Sequence, residues 1–251
     1  MDEQEKGIKY KLRDHEYRKT TGPTGMTSFR VLIKETDLLI SACQDLSKQA
    51  RDSVFHYRRQ LEDYIKKKPV FLSTLLPFSQ DVFAPPIVKE MTYASSIFNV
   101  GPMASVAGTI AQFVGNDLLK YSDEVIIENG GDIFLKVNRT ATASIFAGNS
   151  RLNRKIGIII HPEQTPAGVC TSSATIGHSL SFGIADAVCI VAKSSSIADA
   201  AATALCNRIT TKSKMEKEIE LFKNSAHISG GAVILKNTLA SWGDIELTSA
   251  N

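Results

Sequence analysis

Two segments of the chain echo each other: Gly130-Gly131-Asp132-Ile133-Phe134-Leu135-Lys136 and Gly230-Gly231-Ala232-Val233-Ile234-Leu235-Lys236. Each is a glycine pair leading into an apolar strand that ends in Leu-Lys. Each also lies downstream of a helix rich in small residues, Pro102 to Lys120 in one case and Ser194 to Ile209 in the other. Such an echo within one chain reads as the trace of an ancient duplication. It limits the fold to those that can be built from two similar halves, and 251 residues suffice for one large domain or two fused halves with a substantial core. The second copy has Ala232 where the first has Asp132, so any chemistry is asymmetric.

Composition narrows the function classes. Apolar residues make up 43% and charged residues 22% of the chain, ordinary values for a globular protein, and the net charge is only +3. The basic clusters Arg58-Arg59, Lys66-Lys67-Lys68 and Arg151 with Arg154-Lys155 sit apart and lack interleaved aromatics, which argues against nucleic acid as a partner. The four cysteines, Cys43, Cys170, Cys189 and Cys206, show neither C-x-x-C spacing nor a zinc pattern. The first residues are dense in charge with no apolar core of a signal peptide, so the expected compartment is the cytoplasm. Val100 to Leu119 is the least polar window, but Ser105, Thr109, Gln112, Asn116 and Asp117 interrupt it. That pattern suits a buried helix better than a membrane span.

Residues 1–27 read as a charged tail leading into the first strand, and 28–251 as a single domain containing the duplication. Ser28 to Lys34 and Leu38 to Ala42 flank Glu35-Thr36-Asp37 and predict a hairpin. From Asp45 to Lys67, Leu46, Ala50, Val54, Tyr57, Leu61 and Ile65 recur every three or four residues, the period of an amphipathic helix. Prolines 69, 77, 85 and 86 punctuate an irregular connection. Helices are expected over Ile87 to Phe98, from Pro102, and over Ser213 to Lys223. Strands are expected over 124–129, 132–138, 141–147, 155–161, 187–192, 232–236 and 245–248. Cys170 onward reads as a loop of small hydroxyl residues ending in His178.

Asp199 carries two readings. On a helix, Asp199, Thr203 and Asn207 align one turn apart among alanines, so a buried carboxylate there needs a cation, a donor or solvent. Magnesium held by one carboxylate, a hydroxyl and substrate phosphates would satisfy it. The plainer reading is a capping box, because Ser196 and Asp199 have the S-x-x-[DE] spacing. Asn129, Gly130, Gly131 and Asp132 form either a ligand-facing turn or an ordinary hairpin turn. Thr171, Ser172 and Ser173 could bind phosphate oxygens, and His178 could shuttle protons or orient a phosphate. Cys170 is a nucleophile only if its thiolate is stabilised, and no neighbouring base is evident.

The order of these motifs resembles the flavin transferases of the ApbE type: Gly101-Pro102-Met103-Ala104, the Asn-Gly-Gly-Asp turn, Thr171 to Ser173, His178 before Gly183, and Ala-Asp-Ala-x-x-Thr-Ala-Leu at 198–205. Val-Gly-Pro-Met-Ala, Cys-Thr-Ser-Ser and Gly-His-Ser-Leu-Ser-Phe-Gly resemble more closely a cytoplasmic ApbE-like branch common in methanogens and other anaerobes. The resemblance spans about Ser28 to Lys236. It implies a duplicated, T-fold-like α+β fold with antiparallel sheets backed by helices. It further implies a protein that uses magnesium to move FMN from FAD onto a threonine of an acceptor protein, releasing AMP. By the same resemblance Asp199 and Thr203 are magnesium ligands, and Asn129, Gly130, Gly131, Asp132, Thr171, Ser172 and Ser173 line the site of a flavin or adenine dinucleotide. His178 lies near the diphosphate and, with Asp199, is the catalytic candidate. The alternative role implied for this branch is that of a non-catalytic accessory in anaerobic sulfur assimilation and homocysteine formation. The chain departs from the transferases in having Ser105 or Val106 where they carry a lysine, and in its lack of a lipoprotein leader. Small-residue helices and sheet edges make a homo-oligomer a further expectation.

Overall fold

A computed structural model describes residues 25–175 and 181–250. Thr27–Ile33 (β1) and Thr36–Ala42 (β2) form the first hairpin, with Ile33 opposite Thr36. The turn therefore falls on Lys34 and Glu35, earlier than the polar triplet suggested, and Thr36 is already buried in β2. Helices Ser47–Lys67 (α1), Val70–Ser73 (α2) and Pro86–Ile97 (α3) follow. A 3-10 turn at Pro102–Ser105 then runs into Val106–Leu118 (α4). Val125–Asn129 (β3) and Asp132–Lys136 (β4) make the second hairpin.

Ala141–Ser144 (β5) and Ile156–Ile160 (β6) leave the main sheet. Ala167–Ser172 (β7) and Ala187–Ala192 (β8) return to it, followed by Ser195–Arg208 (α5), Met215–Lys223 (α6), Gly230–Leu235 (β9), Thr238–Gly243 (β10) and Glu246–Ser249 (β11). Eight strands form one sheet in the order β1-β2-β3-β4-β7-β8-β9-β10, and β11-β6-β5 form a second sheet of three. Every paired strand is antiparallel. The α+β class with antiparallel sheets backed by helices is therefore what the chain adopts.

Strand alternation divides the core between the two faces of the large sheet, where it forms three clusters. One face of the large sheet sends Val31, Leu38, Ile40, Val125, Ile127 and Phe134 against α1, α3 and α4. Further along the same face, Val188, Ile190 and Val233 pack on α5 and α6. The opposite face, including Leu135, Val169, Val191 and Ile234, packs on Ile158 and Ile160 of the small sheet. Among the described residues no single helix is long and apolar enough to cross a membrane.

The order strand hairpin, helices, strand hairpin occurs twice, but the Gly-Gly echo does not mark equivalent places in it. Gly130 and Gly131 are the two central residues of the β3–β4 turn, with φ of +68° and +107°. Gly230 and Gly231 lie inside β9, opposite Gly243 and Trp242. A side chain at Gly231 would put its Cβ 2.7 Å from the Trp242 ring, so that glycine answers a packing need and not a turn.

Candidate functional site

The site is assembled where the helix-facing surface of the large sheet meets the crossing of α4 and α5. In sheet register, Asn129 on β3 stands opposite Asp132 on β4, which stands opposite Cys170 on β7. All three face the helices. The two-residue turn that places Asn129 beside Asp132 needs positive φ at both central positions, which Gly130 and Gly131 supply. The Gly131 N–H donates to Glu128 Oε1 at 2.8 Å, closing the turn. The turn reading and the site reading of Asn-Gly-Gly-Asp are thus compatible: the glycines make the turn, and the flanking polar side chains are turned inward.

Asp199 enters from above. Its Oδ2 accepts the Gly108 N–H at 2.8 Å, so a carboxylate on α5 satisfies a free amide in the first turn of α4. The Ala107 N–H also favours its charged form, and the Ala107 carbonyl accepts from Asn129 Nδ2 at 3.0 Å. The capping box that the Ser196-to-Asp199 spacing allows is not formed. Ser194 is the N-cap of α5 and accepts from the Ile197 N–H, which leaves Asp199 beyond the first turn and on the face toward α4. Gly108 permits that approach, because a Cβ there would sit 2.8 Å from Asp199 Cβ and would overlap the Ser195 carbonyl oxygen.

Thr203 lies one turn after Asp199. Its Oγ1 is 3.2 Å from Ser172 Oγ and donates to the Ala104 carbonyl oxygen at 3.4 Å. Asn129, Asp132 and Asp199 keep 8%, 9% and 7% exposure, so the cluster is nearly enclosed yet still touches solvent. No basic side chain pairs with Asp132 or Asp199 among the described residues.

Electrostatics follow from this enclosure. Burial, then the neighbouring Asp132 charge, pushes the Asp199 carboxyl well above the ordinary range, against the pull of the α4 amides. Burial also raises Asp132, to about 7, with Glu128 adding to the shift while the Cys170 thiol and the Thr171 N–H oppose it. Cys170 donates to the Ser195 carbonyl oxygen at 3.3 Å. Its thiol is pushed far up by burial and then by the two acids, so it is held as a protonated thiol and not as a nucleophilic thiolate.

The cluster thus unites Asn129, Asp132, Ser172, Asp199 and Thr203. Other expected residues are placed elsewhere. The hydroxyl-rich stretch is no loop at its start, because β7 continues through Ser172. Alternation along β7 turns the Thr171 side chain to the opposite face, where it meets Cys189. Ser173 lies beyond the strand, with its Oγ 3.3 Å from Thr175 Oγ1. His178 falls outside the described residues. Ala104, Ala107, Gly108 and Gln112 contribute to the site without having been singled out as site residues. The run of small residues after Gly101 was the available signal, since it announces a close approach without saying to what.

Among the described residues no group of three or more His, Cys, Asp or Glu side chains is arranged to hold a metal. The donor set that does exist is one of oxygens: two carboxylates, two hydroxyls and main-chain carbonyls. It suits a hard cation that completes its shell with substrate oxygens and water.

Comparison with known proteins gives a consistent picture. The family model described as AbpE bacteria matches residues 19–225. The UPF0280 protein MJ1526 of Methanocaldococcus jannaschii is 42% identical over 86% of this chain and 90% of its own length. The UPF0280 protein of Methanothrix thermoacetophila is 38% identical over 82% of this chain and 87% of its own. Among solved structures, the flavin transferase ApbE from Vibrio cholerae superposes with a TM-score of 0.56 at 14% identity, covering 88% of this chain and 97% of that one. The flavinyl transferase ApbE of Pseudomonas stutzeri, in its apo form, gives 0.58 at 14% identity, covering 90% and 94%. At such identities the likeness is one of fold.

Proposed function

Because this chain belongs to the family described as AbpE bacteria, we propose that it binds a flavin dinucleotide with magnesium and acts as a flavin-transferase-like enzyme, moving FMN from FAD to an acceptor protein. The observation that carries the reading is the enclosed pair Asp132 and Asp199, two carboxylates withdrawn from water with hydroxyl, amide and carbonyl groups around them. A buried acid without a cationic partner is costly, and a bound divalent cation removes that cost. Asp199 and Thr203 are the side-chain ligands we assign, with the Ala104 carbonyl oxygen beside Thr203 as a main-chain candidate. When bound, magnesium supplies charge neutralisation on a diphosphate and polarisation of the phosphorus under attack.

The chain's own residues do the rest. Asn129 and Ser172 would offer an amide and a hydroxyl to the nucleotide, and the Gly130-Gly131 turn would let the ligand approach the backbone closely. Such a transfer depends chiefly on positioning and fixed dipoles, which this enclosed site can offer. His178 keeps the role near the diphosphate that the resemblance implies. Calorimetric titration with FAD, with and without magnesium, tests the reading on wild-type and Asp199→Ala protein. Binding that requires magnesium and is lost in the variant supports it, whereas no binding by the wild type under either condition rejects it.

A further inference from the structure

We propose that Gln112 is a positioning residue for Asp199, acting through the N-terminus of α5; the inference rests on the magnesium-dependent reading of the site. Gln112 forms no hydrogen bond with Asp199 or Thr203. It lies one turn after Gly108 on α4, as Asp199 lies one turn after Ser195 on α5, and these four positions form a closed circuit between the helices. Gln112 Oε1 accepts the Ser195 N–H at 2.8 Å and the Ser194 hydroxyl at 2.9 Å. Ser195 Oγ donates to the Gly108 carbonyl oxygen at 2.8 Å, and the Gly108 N–H donates to Asp199 Oδ2 at 2.8 Å. Each helix therefore satisfies first-turn amides of the other: α5 supplies a carboxylate to α4, and α4 supplies a side-chain amide oxygen to α5.

The circuit is braced from a third helix. Glu90 on α3 accepts from Ser196 Oγ, and Gln112 Nε2 lies 3.5 Å from Glu90 Oε1. Removing the Gln112 oxygen leaves the buried start of α5 without its acceptor and frees α5 to slide relative to α4. Asp199 then loses its fixed place relative to Gly108, and Thr203 its place relative to Ala104. A carboxylate at position 112 would still accept from Ser195 but would face Glu90. Exchanging the two groups, by Glu90→Gln together with Gln112→Glu, restores both the acceptor and the neutral-to-charged pairing.

The test measures the magnesium concentration that half-saturates FAD binding, followed by flavin fluorescence, in wild type, Gln112→Leu and the double exchange. Loss of a group bonded directly to a metal ligand typically weakens metal binding by about 10–100-fold, and Gln112 stands one contact further out, so Gln112→Leu should raise the magnesium midpoint by about three- to tenfold and the exchange should return it to within about twofold. A Gln112→Leu midpoint within about twofold of wild type overturns the proposal. So does an exchange that fails to recover. Should Gln112→Leu not fold, Gln112→Asn, which keeps the amide but shortens its reach, is judged by the same criteria. If wild type binds no FAD, the functional reading fails, and positioning is then judged by amide hydrogen exchange. Faster exchange of the Gly108 amide relative to Val114 in Gln112→Leu sustains the circuit, and an unchanged ratio ends it.

Discussion

Asp132 and Cys170 stand directly opposite one another on neighbouring antiparallel strands, both facing the helices, with the thiol itself bonded to the Ser195 carbonyl. An acid on one side and a carbonyl acceptor on the other leave no place for a thiolate. The thiol of Cys170 is therefore expected to be inert in the native protein. Cys189 and Cys206 are also buried, and only Cys43 is exposed among the four. Titration with an aromatic disulfide reagent at neutral pH should show one fast-reacting thiol in the native state and four after denaturation. Rapid native modification of Cys170, identified by peptide mapping, would contradict this arrangement.

The same enclosure makes stability depend on pH in a definite direction. The folded state raises the Asp132 carboxyl from 3.8 to about 7, so the folded chain binds this proton more tightly than the unfolded chain. The associated stability is fully present below the unfolded value and is lost as pH rises through the folded one. Without divalent cations, the unfolding free energy should therefore decline from about pH 4 upward, Asp199 contributing in the same direction, and Asp132→Asn should make the decline shallower without abolishing it. Urea unfolding across this range measures it, and an identical slope in the variant would refute the assignment.

Gly108 lies at a close approach of α4 and α5. A Cβ there would lie 2.8 Å from Asp199 Cβ and overlap the Ser195 carbonyl, in a region already packed by two helices. Gly108→Ala should destabilise the fold by about 1–3 kcal/mol through overpacking, despite alanine's better helix propensity. Denaturant unfolding checks the sign. A variant more stable than wild type would mean that the helices stand further apart.

Periodicity made much of this fold legible. The spacing of Leu46, Ala50, Val54 and Leu61 indicated α1, and the helix observed is Ser47–Lys67. The continuous apolar run Ala187–Ala192 indicated β8, buried on both faces as such runs usually are. Thr238–Gly243 carries little sequence signal, because its Leu, Ala and Ser show no strong alternation and it owes its form to pairing with β9. Cys170 to Ser172 looked like a loop for a related reason: small hydroxyl residues favour turns locally, but register with β4 and β8 extends them.

The candidate site was legible only in part: Asn129, Asp132, Ser172, Asp199 and Thr203 come together, whereas Thr171 and Ser173 lie elsewhere. Spacing alone puts Asp199 and Thr203 on one helix face, and of the two it is Asp199 that the structure buries. What spacing could not give was the partner, because Gly108 and Gln112 come from the other half of the chain. The Ser196-to-Asp199 spacing imitates a capping box, yet Ser194 starts the helix and Gln112 supplies the missing acceptor from outside.

We propose above all that Asp199 and Thr203 hold a divalent cation against a flavin dinucleotide. Crystals grown with FAD, and with manganese in place of magnesium, test it through anomalous scattering. One strong peak bonded to Asp199 and Thr203 is expected, with the FAD diphosphate on its open side. FAD bound with no peak at Asp199, or manganese bound only elsewhere, would contradict it.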